Sequence, residues 1–74
     1  MKDKDNLQKK FGKHLKKLRT EMNISGAELA RRTFMEKPYI TLLEKGGANP
    51  TLNTLQKIAD ALEISMEELF KGFN

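Results

Sequence analysis

An all-α fold, a bundle of five short helices, is what this sequence predicts. Three observations predict it. Apolar residues recur at spacings of three and four along most of the chain, the period of a helix with one buried side. Ser25, Thr51 and Ser65 each stand directly before such a stretch, where a side-chain oxygen caps the free amides of a helix start. No run alternates apolar and polar residues with period two, so no strand is expected.

The elements follow in order. Residues 1–6 are polar and are expected to form a flexible tail ahead of one domain at 7–74. Helix one is expected from about Asn6 or Leu7 to Met22. Its apolar stripe is Leu7, Phe11, Leu15, Leu18 and Met22, and Lys9, Lys10, Lys13, Lys16 and Lys17 lie mostly off it. Asn23 marks its end. Helix two is expected over about Gly26–Thr33, with Ser25 as cap and Glu28 at capping-box spacing. Leu29 and Ala30 form its small buried face. A tight connection near Phe34–Glu36 leads to helix three, about Lys37–Lys45. Pro38 sits in its first turn, where a missing amide costs little. Ile40 and Leu43 face inward with Tyr39 and Leu42 beside them, and Gly46 stops the helix. The loop 46–50 precedes Thr51 and helix four, about Leu52–Leu62, which turns Leu55, Ile58, Ala59 and Leu62 inward. Ser65 and Glu68 form a second capping box and open helix five, about Met66–Lys71, with Leu69, Phe70 and then Phe73 as its apolar residues. Helices this short are unstable alone and must be packed against one another.

Seventy-four residues make one domain near the lower limit of what folds without staples. There is no cysteine, hence no disulfide framework and no thiolate metal site. The opening stretch MKDKDNLQKK has no apolar run, so neither a signal peptide nor a membrane span is expected there. Charge is unevenly distributed. Residues 1–22 hold eight Lys/Arg against three acids, whereas residues 46–74 hold two against four. A basic front and a slightly acidic back point to a polyanion on one side.

Enzyme chemistry has no constellation behind it. The lone histidine, His14, has no serine or aspartate in a catalytic arrangement and reads as a structural residue. No carboxylate cluster has calcium or zinc spacing, and Gly46-Gly47 reads as a helix stop rather than a phosphate cradle. No metal or cofactor is expected. The pair formed by helices two and three has a specific use. A protruding helix fits the major groove of DNA while the preceding helix rests on the backbone. The first turns of helices two and four direct free amides outward, which suits phosphates.

The segments FGKHLKKLR at 11–19, ELA at 28–30, YITLLEKG at 39–46, NPTLNTLQKIADAL at 49–62 and ISMEELF at 64–70 carry a resemblance in their order and spacing. Over about four-fifths of its length the chain resembles lambda-repressor/Cro-like (XRE-type) helix-turn-helix transcriptional regulators. Among short members it is similar to the controller proteins of restriction-modification systems and to small phage repressors. The resemblance implies a cytoplasmic, homodimeric regulator with helix three in the major groove of a near-palindromic operator on double-stranded DNA, without a membrane or metal partner. Ala30 matches the small residue that lets helices two and three cross closely, and Ile40 the buried residue of helix three. Base contacts fall on Lys37, Tyr39, Thr41 and Leu42. Backbone contacts fall on Gly26, Lys45, Asn49 and Thr51. Arg19 and Glu44 stand where related proteins pair charges, and Met66, Leu69, Phe70 and Phe73 supply candidates for a dimer interface.

Two positions depart from the pattern. Gly26 replaces a common glutamine, so that phosphate contact is lost or left to the backbone. Phe34 replaces a common turn glycine, which implies either another turn shape or a ring that packs or protrudes. Both departures give some weight to the alternative reading, a protein-interaction or antitoxin-like module that retains the fold.

Overall fold

The structure, a computed structural model, describes residues 2–73, with side chains from Leu7 onward. Five helices follow one another: α1 (Lys2–Glu21), α2 (Gly26–Thr33), α3 (Lys37–Glu44), α4 (Leu52–Ala61) and α5 (Met66–Phe70). No strand occurs among the described residues. α1 packs against α3, α2 against α3 and α4, and α4 against α5.

α1 begins at Lys2, ahead of the expected start, so the backbone of residues 2–6 is helical rather than an irregular tail. No glycine, proline or β-branched residue interrupts Lys2–Lys10, and nothing local stops the helix there. The ends of its apolar stripe are open: Leu7 is 55% exposed and Met22 40%. Phe11 and Leu15 are buried, as are Ile24, Leu29, Ala30, Ile40, Leu43, Ile58, Ala59, Leu62 and Leu69. Seven of these aliphatic side chains are fully enclosed, and each contributes about 1.5–3 kcal/mol by leaving water.

α1 crosses the C-terminal end of α3 at backbone contact. A Cβ on Gly12 would sit 2.7 Å from the Leu43 carbonyl oxygen and collide with that of Glu44, so only glycine fits. His14 fastens α1 to α5: its Nε2–H donates to the Leu69 carbonyl oxygen at 2.8 Å, and its ring lies 5.8 Å from that of Phe73.

Three helices close through a non-glycine residue in the left-handed region: Asn23, Phe34 and Glu63, with φ of 59°, 60° and 59°. In each case the next residue donates its amide to a carbonyl five positions back, as in Ile24 to Arg19, Met35 to Ala30 and Ile64 to Ala59, each 3.0 Å. That closure satisfies carbonyls at the helix end. It also turns Ile24, Met35 and Ile64 onto the core. Phe34 therefore takes the backbone shape that a glycine would, and its ring projects outward, 96% exposed. The apolar anchor after it outweighs the strain at Phe34, about 1–2 kcal/mol.

Two sequence expectations need correction. Ser25 caps α2 by accepting from the Glu28 amide at 3.0 Å, but Glu28 does not complete the box, because its carboxylate is taken by Arg31 and Arg32. Only Ser65 and Glu68 form the reciprocal pair. Leu69 leaves no surface for a dimer interface, since it is fully enclosed in the core. Phe70 and Phe73 are partly exposed and pack against Phe11, tilted and edge-on respectively, at centroid distances of 5.6 and 6.1 Å. Met66 is likewise half-buried.

Candidate nucleic-acid interface

α3 is held by its buried side. Ile40 and Leu43 are sunk in the core, and Glu44 is clamped from behind by Arg19. The guanidinium makes a two-pronged contact, Nε to Oε2 at 2.7 Å and Nη2 to Oε1 at 3.0 Å. A third donor, Nη1, reaches the Ile24 carbonyl oxygen at 2.8 Å. The two side chains are only 11% and 8% exposed. The hydrogen bond to Glu44 raises the Arg19 pKa above its ordinary value, against the opposing effect of burial. The pair joins α1 and α3 and fixes the angle at which α3 presents its outer face.

That outer face is a stripe of Lys37, Pro38, Thr41, Leu42 and Lys45, the i, i+4 spacing of one helix side. Lys37, Pro38, Leu42 and Lys45 are exposed and Thr41 is half-buried. α3 has eight residues and so is about 12 Å long, close to the width of the major groove. Lys37 Nζ donates to Thr41 Oγ1 at 3.1 Å, which brings two of the expected base-reading residues together. Leu42 is 47% exposed, and its Cδ1 lies 2.6 Å from where a Gly47 Cβ would stand. It both packs on the loop and faces outward. Tyr39 departs from the expected set. It lies off the stripe, half-buried against the core.

The stripe is bracketed by the two regions expected at the DNA backbone. At one end the Lys37 side chain lies over Gly26. A Cβ at Gly26 would come within 2.9 Å of Lys37 Cε and 3.6 Å of its Nζ. Glycine makes room there for the lysine, an arrangement that sequence reasoning missed because the two residues are eleven positions apart and belong to different helices. The start of α2 is electropositive twice over. It carries the free amides of a first turn, and it has the Lys37 ammonium beside it. Among the described residues no side chain accepts from the Ser25 amide, since Glu28 points to the arginines. The Lys37 ammonium has no carboxylate partner among them either.

At the other end stand Lys45, the loop with exposed Asn49, and the start of α4. Thr51 Oγ1 caps α4 by accepting from the Thr54 amide at 3.1 Å. The structure thus brings Gly26, Lys37, Thr41, Leu42 and Lys45 onto or beside one helix face, with Asn49 and Thr51 following in the loop. No group of three or more His, Asp or Glu side chains converges among the described residues, and no helix there is long and apolar enough to cross a membrane.

Comparison with known proteins shows the family and the fold. The helix-turn-helix family HTH_3 matches residues 15–69. The control protein C.MunI of Mycoplasma sp is 37% identical over 62 residues, 82% of this chain and 84% of its own. The transcriptional regulator DdrOP3 of Deinococcus deserti is 33% identical over 63 residues, 85% of this chain, which spans about half (49%) of that longer relative. Among solved structures, the restriction-modification controller protein C.AhdI of Aeromonas hydrophila superposes with a TM-score of 0.81 at 37% identity, covering 88% of this chain and 97% of its own.

Proposed function

The chain belongs to the HTH_3 helix-turn-helix family of transcriptional regulators, not to a family of enzymes, and on that premise we propose that it binds a near-palindromic operator as a homodimer, with α3 in the major groove. The observation that carries the proposal is the outward stripe of α3. It presents donors and an apolar group between two backbone-binding ends. Lys37 donates to guanine O6 and N7, Thr41 offers a hydroxyl and a methyl, and Leu42 meets a thymine methyl. The amides at the start of α2, Lys45, Asn49 and Thr51 take phosphates and set the register. Tyr39 supplies at most its hydroxyl, from the edge of this surface.

An apolar surface beside the loop that follows α3 supports the dimer. Leu52 is 77% exposed, and an apolar groove is lined by Leu7, Phe11, Pro50, Leu55, Phe70 and Phe73. A two-fold interface that uses Phe70, Phe73 and Met66 with this part of α4 covers that surface by pairing it with itself. It also sets two copies of α3 on half-sites about one helical turn apart. Regulation of the protein's own promoter is the simplest use, in the cytoplasm. Retardation of fragments from that promoter region tests the reading, together with sedimentation of the free protein. A specific shift and a concentration-dependent dimer support it. Binding indifferent to sequence, or a monomer at all concentrations, counts against it.

One observation favours a second reading, attachment to another protein: the ring of Phe34, almost wholly in water beside Arg32, Lys57 and Asp60. If Phe34→Ala leaves operator binding intact but abolishes regulation in the cell, the protein-binding reading gains.

A further inference from the structure

Between Leu7 and Thr20, α1 carries six Lys/Arg and no acid. A helix face that merely meets solvent usually mixes signs, because like charges three or four residues apart destabilise a helix. Here Lys9, Lys13 and Lys16 share one side, with Lys10 and Lys17 next to them, and all five are exposed. None of Lys10, Lys13, Lys16 or Lys17 takes part in an ion pair among the described residues. The acids of the C-terminal half, Asp60, Glu63, Glu67 and Glu68, stand on α4, α5 and the link between them. Among the described residues no ion pair offsets the repulsion among Lys10, Lys13, Lys16 and Lys17, and an external polyanion would relieve it.

We propose that this face of α1 is a second, sequence-independent phosphate-binding surface that grips the backbone of the same duplex beyond the end of α3. The proposal rests on the reading of α3 as the helix in the groove. Continuity identifies the occupant. A Cβ on Gly46 would lie 2.7 Å from Lys9 Cα, so the lysine row begins directly beside Lys45 and the loop that follows α3. Gly12, in the middle of the row, rests on the Leu43 carbonyl oxygen. The two contacts thus set the start of the lysine row beside the C-terminal end of the recognition helix. From Lys9 to Lys17 the row is about 12 Å long, enough to face several phosphates. Lysine suits this use: it is a point charge that follows a backbone without demanding one geometry.

The test compares binding to two duplexes across a salt series: the selected operator trimmed to its contacted core, and the same operator with one helical turn of added flank on each side. The variant is the triple Lys9→Gln, Lys13→Gln, Lys16→Gln. The control is the double Lys57→Gln, Lys71→Gln, which lowers net charge on the acidic half. On the flanked duplex the triple variant should lose about 10–100-fold in affinity at low salt, and its salt slope should shallow by about three units per protomer. On the trimmed duplex it should bind nearly as well as the parent. Its base preference should be unchanged and its melting temperature no lower, since glutamine keeps the helix and removes repulsion. An unaltered slope on the flanked duplex, or a change matched by the control, overturns the proposal. So does a loss that is equal on both duplexes and accompanied by disappearance of two-duplex complexes, which would assign the lysines to a second DNA molecule. Failure of the α3 reading is separately visible: the parent protein would then not distinguish operator from scrambled duplex, whatever the flanks.

Discussion

The starts of α2 and α5 are built from one four-residue spacing, serine followed three positions later by glutamate, and they are closed in opposite ways. At α5 the box is complete. Ser65 Oγ accepts from the Glu68 amide at 3.0 Å, and Glu68 Oε1 accepts from the Ser65 amide at 2.9 Å. At α2 only the serine half forms, while Glu28 Oε2 accepts from Arg32 Nε at 2.8 Å and its other oxygen accepts from Arg31. The competitors explain the difference. Three and four residues beyond Glu28 stand two arginines, whose planar forks hold a carboxylate strongly. Beyond Glu68 the same offsets hold Lys71 and Gly72. The consequence is functional. The α5 end is sealed, with Leu69 sunk beneath it, whereas at the α2 end no side chain among the described residues accepts from the Ser25 amide, and the Lys37 side chain lies over the adjoining Gly26.

The contrast breaks most severely if the open half loses its support from behind. Arg19→Ala or Glu44→Ala should each cost about 3–5 kcal/mol in chemical denaturation, because each strands the other, nearly buried charge. Removing both should cost less than the sum. A double-mutant cycle with no coupling would show that the pair does not hold α3. A smaller effect sharpens the contrast at the closed end. Glu68→Ala should cost about 0.3–1.5 kcal/mol and leave DNA binding alone, and loss of the Ser65 amide's protection from hydrogen exchange would locate it.

Next comes a gain. Phe34→Gly should raise stability by roughly 1 kcal/mol, since glycine takes φ near +60° without strain. Thermal melting decides it, and a loss of stability would mean that the exposed ring contributes to the fold. The smallest effect is electrostatic. Hydrogen bonds from Arg32 and then Arg31 hold the Glu28 pKa below its ordinary value. A depressed carboxylate stabilises the fold above the ordinary glutamate range, about pH 4.3, and that contribution fades as pH falls through the lowered value. Glu28→Gln should slightly flatten the acid limb of stability against pH, and Glu28 should titrate by NMR below an unpaired glutamate.

How much of this was legible in the sequence depends on how local its cause is. The five helices and their three hydroxyl caps follow from spacing within single segments, and their ends fall close to where Ser25, Thr51, Ser65, Asn23 and Gly46 indicate. What escaped was contact between segments. Gly12 reads as an unremarkable helix residue until α3 is laid across it. Gly26 reads as a lost contact until the Lys37 side chain is seen filling its place. Leu69 is apolar on a short helix, which spacing alone leaves undecided between core and interface, and the packing of α1, α4 and α5 places it inside. Phe34 shows the same limit in the backbone. Its side chain argues against a left-handed turn, but burial of Met35 beyond it decides the conformation. On the candidate interface, periodicity gives only the inward residues Ile40 and Leu43, and the outward residues Lys37, Thr41, Leu42 and Lys45 come with the family resemblance. The Arg19–Glu44 pair came only with the family resemblance.

The most direct test of α3 as reader is the base preference of Lys37→Ala. Affinity should be measured for parent and variant on the selected operator, on all single-base-pair substitutions of one half-site, and on a scrambled duplex. The variant should lose about 1–3 kcal/mol on the operator, most of it as relaxed preference at one base pair, while binding to the scrambled duplex barely changes. Lys45→Ala, run alongside, should weaken binding to every duplex alike and shallow the salt slope by about one unit. An equal loss for Lys37→Ala on every duplex would place that side chain on phosphate, and no loss at all would remove α3 from the groove.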